Sequence, residues 1–184
     1  LGARTLGDKS TDEKWDQVRE LFNSNDNGSS TRAYNLAAET LLSNHSFVCV
    51  RETDELYRYD PEYGYYRRKG GSYIRELLQE ALPECVNNTR MRDAIERVRD
   101  RCYRDQDDFS PPPGKVVVKN GVLNLDGREL EPFSPDYYFT SGMGCEYDPE
   151  ASAEEWREVL REWVPDDDAR ATLQEFAGYC LEVG

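Results

Sequence analysis

Between Phe47 and Arg68 three short runs rich in β-branched and aromatic residues follow one another: Phe47–Arg51, Leu56–Tyr59 and Tyr65–Arg68. Only turn residues separate them, Thr53-Asp54 in the first gap and Asp60-Pro61-Glu62-Tyr63-Gly64 in the second. Connections this short can join only antiparallel neighbours, because a parallel crossover needs a dozen or more residues. The spacing predicts a small antiparallel meander in the middle of the chain, around which the remaining elements pack.

Helical periodicity lies on both sides of it. Residues 12–22 place Trp15, Val18 and Phe22 at helical spacing, Asn23–Ser30 is a polar break, and a second helix from about Thr31 carries Tyr34, Ala37, Ala38 and Leu41 on one stripe. After the meander, Ser72 can cap a helix bearing Ile74, Leu77, Leu78, Ala81 and Leu82, which Pro83 stops. A further helix over Thr89–Tyr103 turns Met91, Ala94, Ile95, Val98 and Cys102 inward. Past the stiff Pro111-Pro112-Pro113-Gly114, the runs Lys115–Lys119 and Val122–Leu125 predict a hairpin with its turn at Asn120-Gly121, and Asp126-Gly127 marks another turn.

Two helices close the chain. Ser152 and Glu155 match a capping box that leads into Trp156, Val159, Leu160 and Trp163. Asp166, Asp167 and Asp168 fall at the next N-terminus, where the helix dipole favours anions, ahead of a stripe of Leu173, Phe176, Ala177 and Cys180. The sum is an α+β fold, helices packed with two small antiparallel hairpin or meander units and winged-helix-like in part. Residues 1–30 read as a linker and short helix, the first ten being the linker's tail, and residues 31–184 as one domain. A first residue of Leu rather than Met points to a piece of a longer protein.

Charge divides the chain unevenly. Residues 1–50 carry 5 basic and 7 acidic side chains, residues 51–104 carry 12 and 11, and residues 105–184 carry 6 and 19. A polyanion would have to approach the middle third, and screening over about 10 Å at ~0.1 M salt lets a local basic face act despite a net charge of −14. Only five residues are lysine, as in proteins held in solution by acidic surfaces at high salt, although compositional drift gives the same numbers. No apolar run approaches the roughly 18 residues of a bilayer span, which disfavours a membrane-spanning protein, and cysteines that read as reduced make the cytoplasm the expected location.

The five cysteines, Cys49, Cys85, Cys102, Cys145 and Cys180, show no Cys-x-x-Cys spacing and read as reduced, mostly buried small hydrophobes. The one Gly-Lys pair, Gly114-Lys115, lacks the glycine spacing and following Ser or Thr of a phosphate loop. Ser43-Asn44-His45 matches the Ser-x-His of archaeal-type primases, and Asp105-Gln106-Asp107 offers hard oxygen ligands for Mg²⁺. In that family the aspartates precede the Ser-x-His, whereas here they follow it, so His45 reads better as a cap at a helix–strand junction. No catalytic residue and no metal site is assigned.

On a helical wheel of about 100° per residue, Arg90, Arg97, Arg101 and Arg104 fall on one stripe, away from the apolar one. Guanidinium forks on one stripe suit phosphate groups. Arg67, Arg68 and Lys69 follow a strand pair carrying Tyr57, Tyr59, Tyr65 and Tyr66, and basic residues interleaved with aromatic ones are what single-strand binders use. These seven basic residues are the candidate nucleic-acid contacts. The competing reading makes the arginines an ion-paired face and the tyrosines sheet packing.

The order of segments resembles a known family. Ala38–Phe47, Thr53–Tyr66, Lys119–Leu125, Asp136–Thr140, Tyr147-Asp148-Pro149 and Leu173–Leu181 match, in order, the domain preceding the helicase in phage, plasmid and poxvirus-type primase–helicases. Asn124 stands where the pattern has Asp. The resemblance covers residues 36–184 and implies a non-catalytic module between a primase and a superfamily-three helicase. ATP and Mg²⁺ then belong to the helicase alone, so the implied fragment has no cofactor and neither hydrolyses ATP nor synthesises primers. Its implied partners are its own primase and helicase domains, DNA in single-stranded or duplex form, and further copies in a hexameric ring. Two other readings fit the same ingredients: a winged-helix-like module for duplex origin DNA, and a purely structural interaction domain.

Overall fold

The computed structural model describes residues 9–182. Within that span the chain forms two compact units, one from the chain up to Glu62 together with Tyr66–Ser110, the other from Tyr63–Tyr65 together with the chain from Pro111 onward. The expectation of a linker tail lies, for residues 1–8, outside the described residues. Among the described residues no helix is long and apolar enough to cross a membrane.

The first unit begins with α1 (Lys9–Asn23) and α2 (Ser29–Asn44). Trp15, Val18 and Phe22 of α1 join Ala33, Ala37, Ala38 and Leu41 of α2 in one core, so α1 is integral to this unit. The boundary expected near residue 30 is thus bridged by packing, and the break between units falls after Ser110. Strands β1 (Phe47–Val50), β2 (Glu55–Asp60) and β3 (Tyr65–Arg67) follow. β1 pairs antiparallel with β2, Phe47 opposite Arg58 and Val50 opposite Glu55, and all four β1 residues are buried. His45 ends α2 with its N–H on the Leu41 carbonyl, its ring 5.5 Å from that of Tyr73, and burial keeps its pKa below the usual imidazole range.

Two more helices complete the unit: α3 (Gly70–Ala81) and α4 (Asn88–Cys102). Ile74, Leu77 and Leu78 of α3 and Ala94, Ile95 and Val98 of α4 enter the same core. Asn87 caps α4, its side chain accepting from the Arg90 N–H at 2.9 Å. Ser72, expected to cap α3, lies inside its first turn. The cap is Lys69, whose φ of +67° is left-handed. The chain turns early because Gly70 passes so close to β2 that a Cβ there would lie 2.9 Å from the Leu56 carbonyl oxygen.

The sheet also gains a strand that the meander pattern did not contain. Directly after α4, the two-residue β4 (Tyr103–Arg104) pairs parallel with β1, giving the order β3-β2-β1-β4. Periodicity cannot register so short a strand. Cys49 and Cys102 lie near this junction, and burial first of all pushes their thiols up to about 11 and about 12. Cys49 and Cys85 are buried, Cys102 is half-buried, and Cys145 and Cys180 are exposed, which corrects the expectation of mostly buried cysteines.

The second unit holds the meander β5 (Lys115–Val118), β6 (Gly121–Asn124) and β7 (Glu129–Glu131). Val118 faces Gly121 across the turn, so the loop residues are Lys119 and Asn120, one position earlier than Asn120-Gly121. Gly121 is needed in the strand instead, because a Cβ there would stand 2.5 Å from the Glu131 carbonyl oxygen of β7. Across the sheet Lys115 Nζ donates to Glu131 at 2.6 Å and the Tyr137 hydroxyl donates to the same carboxylate, which holds Glu131 below the usual carboxyl range. Val117, Val122 and Phe139 form its core, with Tyr65, Phe133 and Tyr137 against them.

Helices α5 (Glu154–Trp163) and α6 (Asp167–Glu182) close the described chain. Ser152 Oγ accepts from the Glu154 N–H at 3.3 Å, one residue short of a capping box, while Asp166 caps α6 by accepting from the Ala169 N–H at 2.8 Å.

Candidate nucleic-acid interface

The α4 arginines divide between two flanks of the helix. Arg90 donates to the carbonyls of Cys85 and Phe22, the latter at 3.2 Å, and its guanidinium lies 4.5 Å from the centre of the Phe22 ring. Arg101 reaches α2, donating to the Asn35 carbonyl and side-chain oxygen, both at 3.2 Å. The stripe predicted to face phosphates therefore runs along α1 and α2, where two of its members stitch helices together. Arg97, half-buried between them, has no hydrogen-bond partner among the described residues. Arg104 leaves the stripe altogether, because α4 ends at Cys102 and Arg104 is an exposed residue of β4.

The tyrosines pack rather than present open faces. Tyr66 and Tyr57 lie against Phe109, with ring centres 5.4 and 5.1 Å away, and Tyr59 lies 5.4 Å from Tyr66. Tyr65 packs in the core of the second unit. A stacking platform on the β2–β3 strands is not what these rings form. Of the adjoining basic triplet, Arg67 donates to the Asp60 carboxylate at 3.1 Å, whereas Arg68 is exposed with no partner among the described residues.

Lys69 opens a different site. With Arg75 of α3 and Arg92 and Arg99 of α4 it lines a groove of about 310 Å³, floored by Leu56, Gly71 and Ile95. Asp54, Glu55 and Glu96 line it too. Arg99 is ion-paired there, 3.0 Å from Asp54 and 3.4 Å from Glu96, but its Nε–H is buried with no acceptor among the described residues. Arg92 meets only its neighbour Asp93, at 3.4 Å. Arg75 touches Met91 Sδ at 3.8 Å, and neither it nor the Lys69 ammonium has a carboxylate within 4.0 Å among the described residues. Three incompletely paired cations around one concavity can hold an anion through several charge-assisted hydrogen bonds.

Arg75, Arg92 and Arg99 are not among the residues singled out from the sequence. Arg92 and Arg99, seven apart, share one stripe of α4, so the wheel contains the signal. What the wheel lacks is which flank of α4 meets α2 and which looks toward α3. Elsewhere, Asp105 pairs with Arg51 at 2.6 Å, and among the described residues no three His, Cys, Asp or Glu side chains converge as metal ligands would.

Four helices around a small mixed sheet, followed by a separate meander and a helical pair, define an α+β module with a cation-lined groove. Its sequence matches a family model, described as D5 N terminal like, over residues 32–165. The chain belongs to that family, the N-terminal domain of phage and viral primase–helicase proteins. No curated protein matches the chain.

Proposed function

We propose that this chain is a non-catalytic module of a DNA-replication primase–helicase. It links primase to helicase, supports ring assembly, and engages DNA through the phosphate backbone at the α3–α4 groove. The observation that carries the DNA contact is the convergence of Lys69, Arg75, Arg92 and Arg99 on one concavity. Arg68, next to Lys69 in the chain, extends the basic edge, while Arg90 and Arg101 serve the fold. Contacts to phosphate position a nucleic acid without reading its sequence, which suits a module that must accept whatever strand its helicase works on.

Fluorescence anisotropy on random single strands, random duplex and origin duplex tests this. Lys69→Ala, Arg75→Ala and Arg92→Ala together should weaken binding to all three alike, and should flatten the log–log salt slope on single strands by about 2, at roughly 0.7 per phosphate contact. An unaltered affinity in this triple variant removes the groove from the account. A salt-resistant preference for the origin duplex favours the winged-helix-like alternative, whose ingredients, helices followed by a hairpin, are also present.

A further inference from the structure

The apolar faces of α5 and α6 are uncovered. Trp156 is 61% exposed, Trp163 76%, Phe176 64% and Tyr179 63%. Scattered apolar residues on a surface are ordinary, but four large aromatic side chains on two consecutive helices are a concentration that folded surfaces keep for partners. The corner between the helices is built independently of that face. Arg170 donates to the carbonyls of Val164 and Pro165 at 2.6 and 2.8 Å, and Asp166 caps α6. The two stripes are thus presented on a corner closed by its own hydrogen bonds, which lowers the ordering cost of docking.

Charge indicates what covers them. Residues 146–184 hold twelve acidic side chains and three arginines. Glu155, Glu158 and Glu162 recur at i+3 and i+4 along α5, one row from the stripe of Trp156, Val159 and Trp163. Asp168 and Glu175, seven apart on α6, border Phe176 and Tyr179 in the same sense. Arg157 and Arg161 border only the far side of α5, and Arg170 is engaged by Asp167 and the corner carbonyls. With twelve acidic and three basic side chains, the segment carries nine net negative charges, so a second copy and an anionic surface would both be repelled overall. Independently of the nucleic-acid reading, we infer that the α5–α6 pair receives an amphipathic helix whose apolar face is bordered by lysine or arginine. The uncovered aromatic stripes supply the apolar contact and the acidic border selects the charge of the partner.

The test uses the 184-residue chain and two dye-labelled helical peptides of about 18 residues, leucines at i, i+3, i+4 and i+7, one with lysine and one with glutamate elsewhere. The lysine peptide should bind and shift tryptophan emission to the blue, since Trp156 and Trp163 are exposed while Trp15 is already buried. The glutamate peptide should bind at least about tenfold more weakly. Trp156→Glu with Trp163→Glu should lose at least about tenfold in affinity for the lysine peptide although the face becomes more negative. Glu155→Lys with Glu162→Lys should reverse the peptide preference, which keeps the test independent of the tryptophan variant. Undiminished binding by the tryptophan variant, reducing the effect to ion pairing, overturns the inference, as does equal binding of the two peptides. Light scattering that finds a dimer dissolved by the tryptophan variant overturns it as well, by making the occupant a second copy.

Discussion

Truncating Leu41 to alanine should lower the free energy of unfolding of the first unit by about 3 kcal/mol, within the range of roughly 2–5 kcal/mol for deleting a buried leucine. Leu41 is 1% exposed and packs from α2 into the core shared with α1, α3 and α4. Ala33, Ala37 and Ala38 beside it on α2 have no atoms with which to fill the void. The lost contacts therefore add a cavity term to the transfer term. Urea unfolding followed by far-UV circular dichroism should show a lower midpoint at an unchanged slope. Leu173→Ala on the exposed face of α6 is the matched control and should stay within about 0.5 kcal/mol of the parent. Equal losses from the two substitutions would show that α2 is not the centre of this core.

Asp60→Ala should cost about 2–3 kcal/mol, because it removes the acceptor that neutralises Arg58 at the end of β2. The Asp60 carboxylate is 7% exposed as a residue and accepts from Arg58 and Arg67, both at 3.1 Å, and from the Glu62 N–H at 3.3 Å. Arg58 is three-quarters or more covered and stacks over Tyr73 at 4.2 Å, so it cannot simply turn to water. Arg67 is half exposed and contributes less, which is why the figure stays below that of a fully enclosed pair. Asp60→Asn retains an acceptor for the Glu62 N–H and should fall between the two. Thermal unfolding of the three proteins checks the order, and an alanine variant as stable as the parent would show that the ion pairs here are ornamental to the fold.

What the sequence disclosed, and what it hid, follows from the distance over which each feature is decided. The inward set of α4 is a 3.6-residue period, a local property, and Ala94, Ile95 and Val98 are buried as that period requires. The fate of its arginines is not local. Arg90 bonds to Phe22 across 68 positions and Arg101 to Asn35 across 66, so no window along α4 could show that this flank is occupied. The α3–α4 groove was hidden for the same reason, since its four cations come from two helices and the turn before one of them. β4 and β7, two and three residues long, carry too few side chains for alternation to register. The position of Gly121 was legible as a turn signal, but the demand it answers is the approach of β7. The amphipathic character of α5 was plain from Trp156, Val159, Leu160 and Trp163. That the stripe would stand uncovered was not, because periodicity gives the direction of a face and never its partner.

The Arg90 guanidinium makes the end of α1 depend on a residue far along the chain. α1 carries no basic residue in its last turn, and the Phe22 carbonyl at that end is met by a cation sixty-eight positions downstream. Without α4 in place, the negative end of α1 is left to water. α1 gains its terminating charge only when the segment around Arg90 has folded back onto it, so the end of this helix is completed by tertiary structure and not by its own residues.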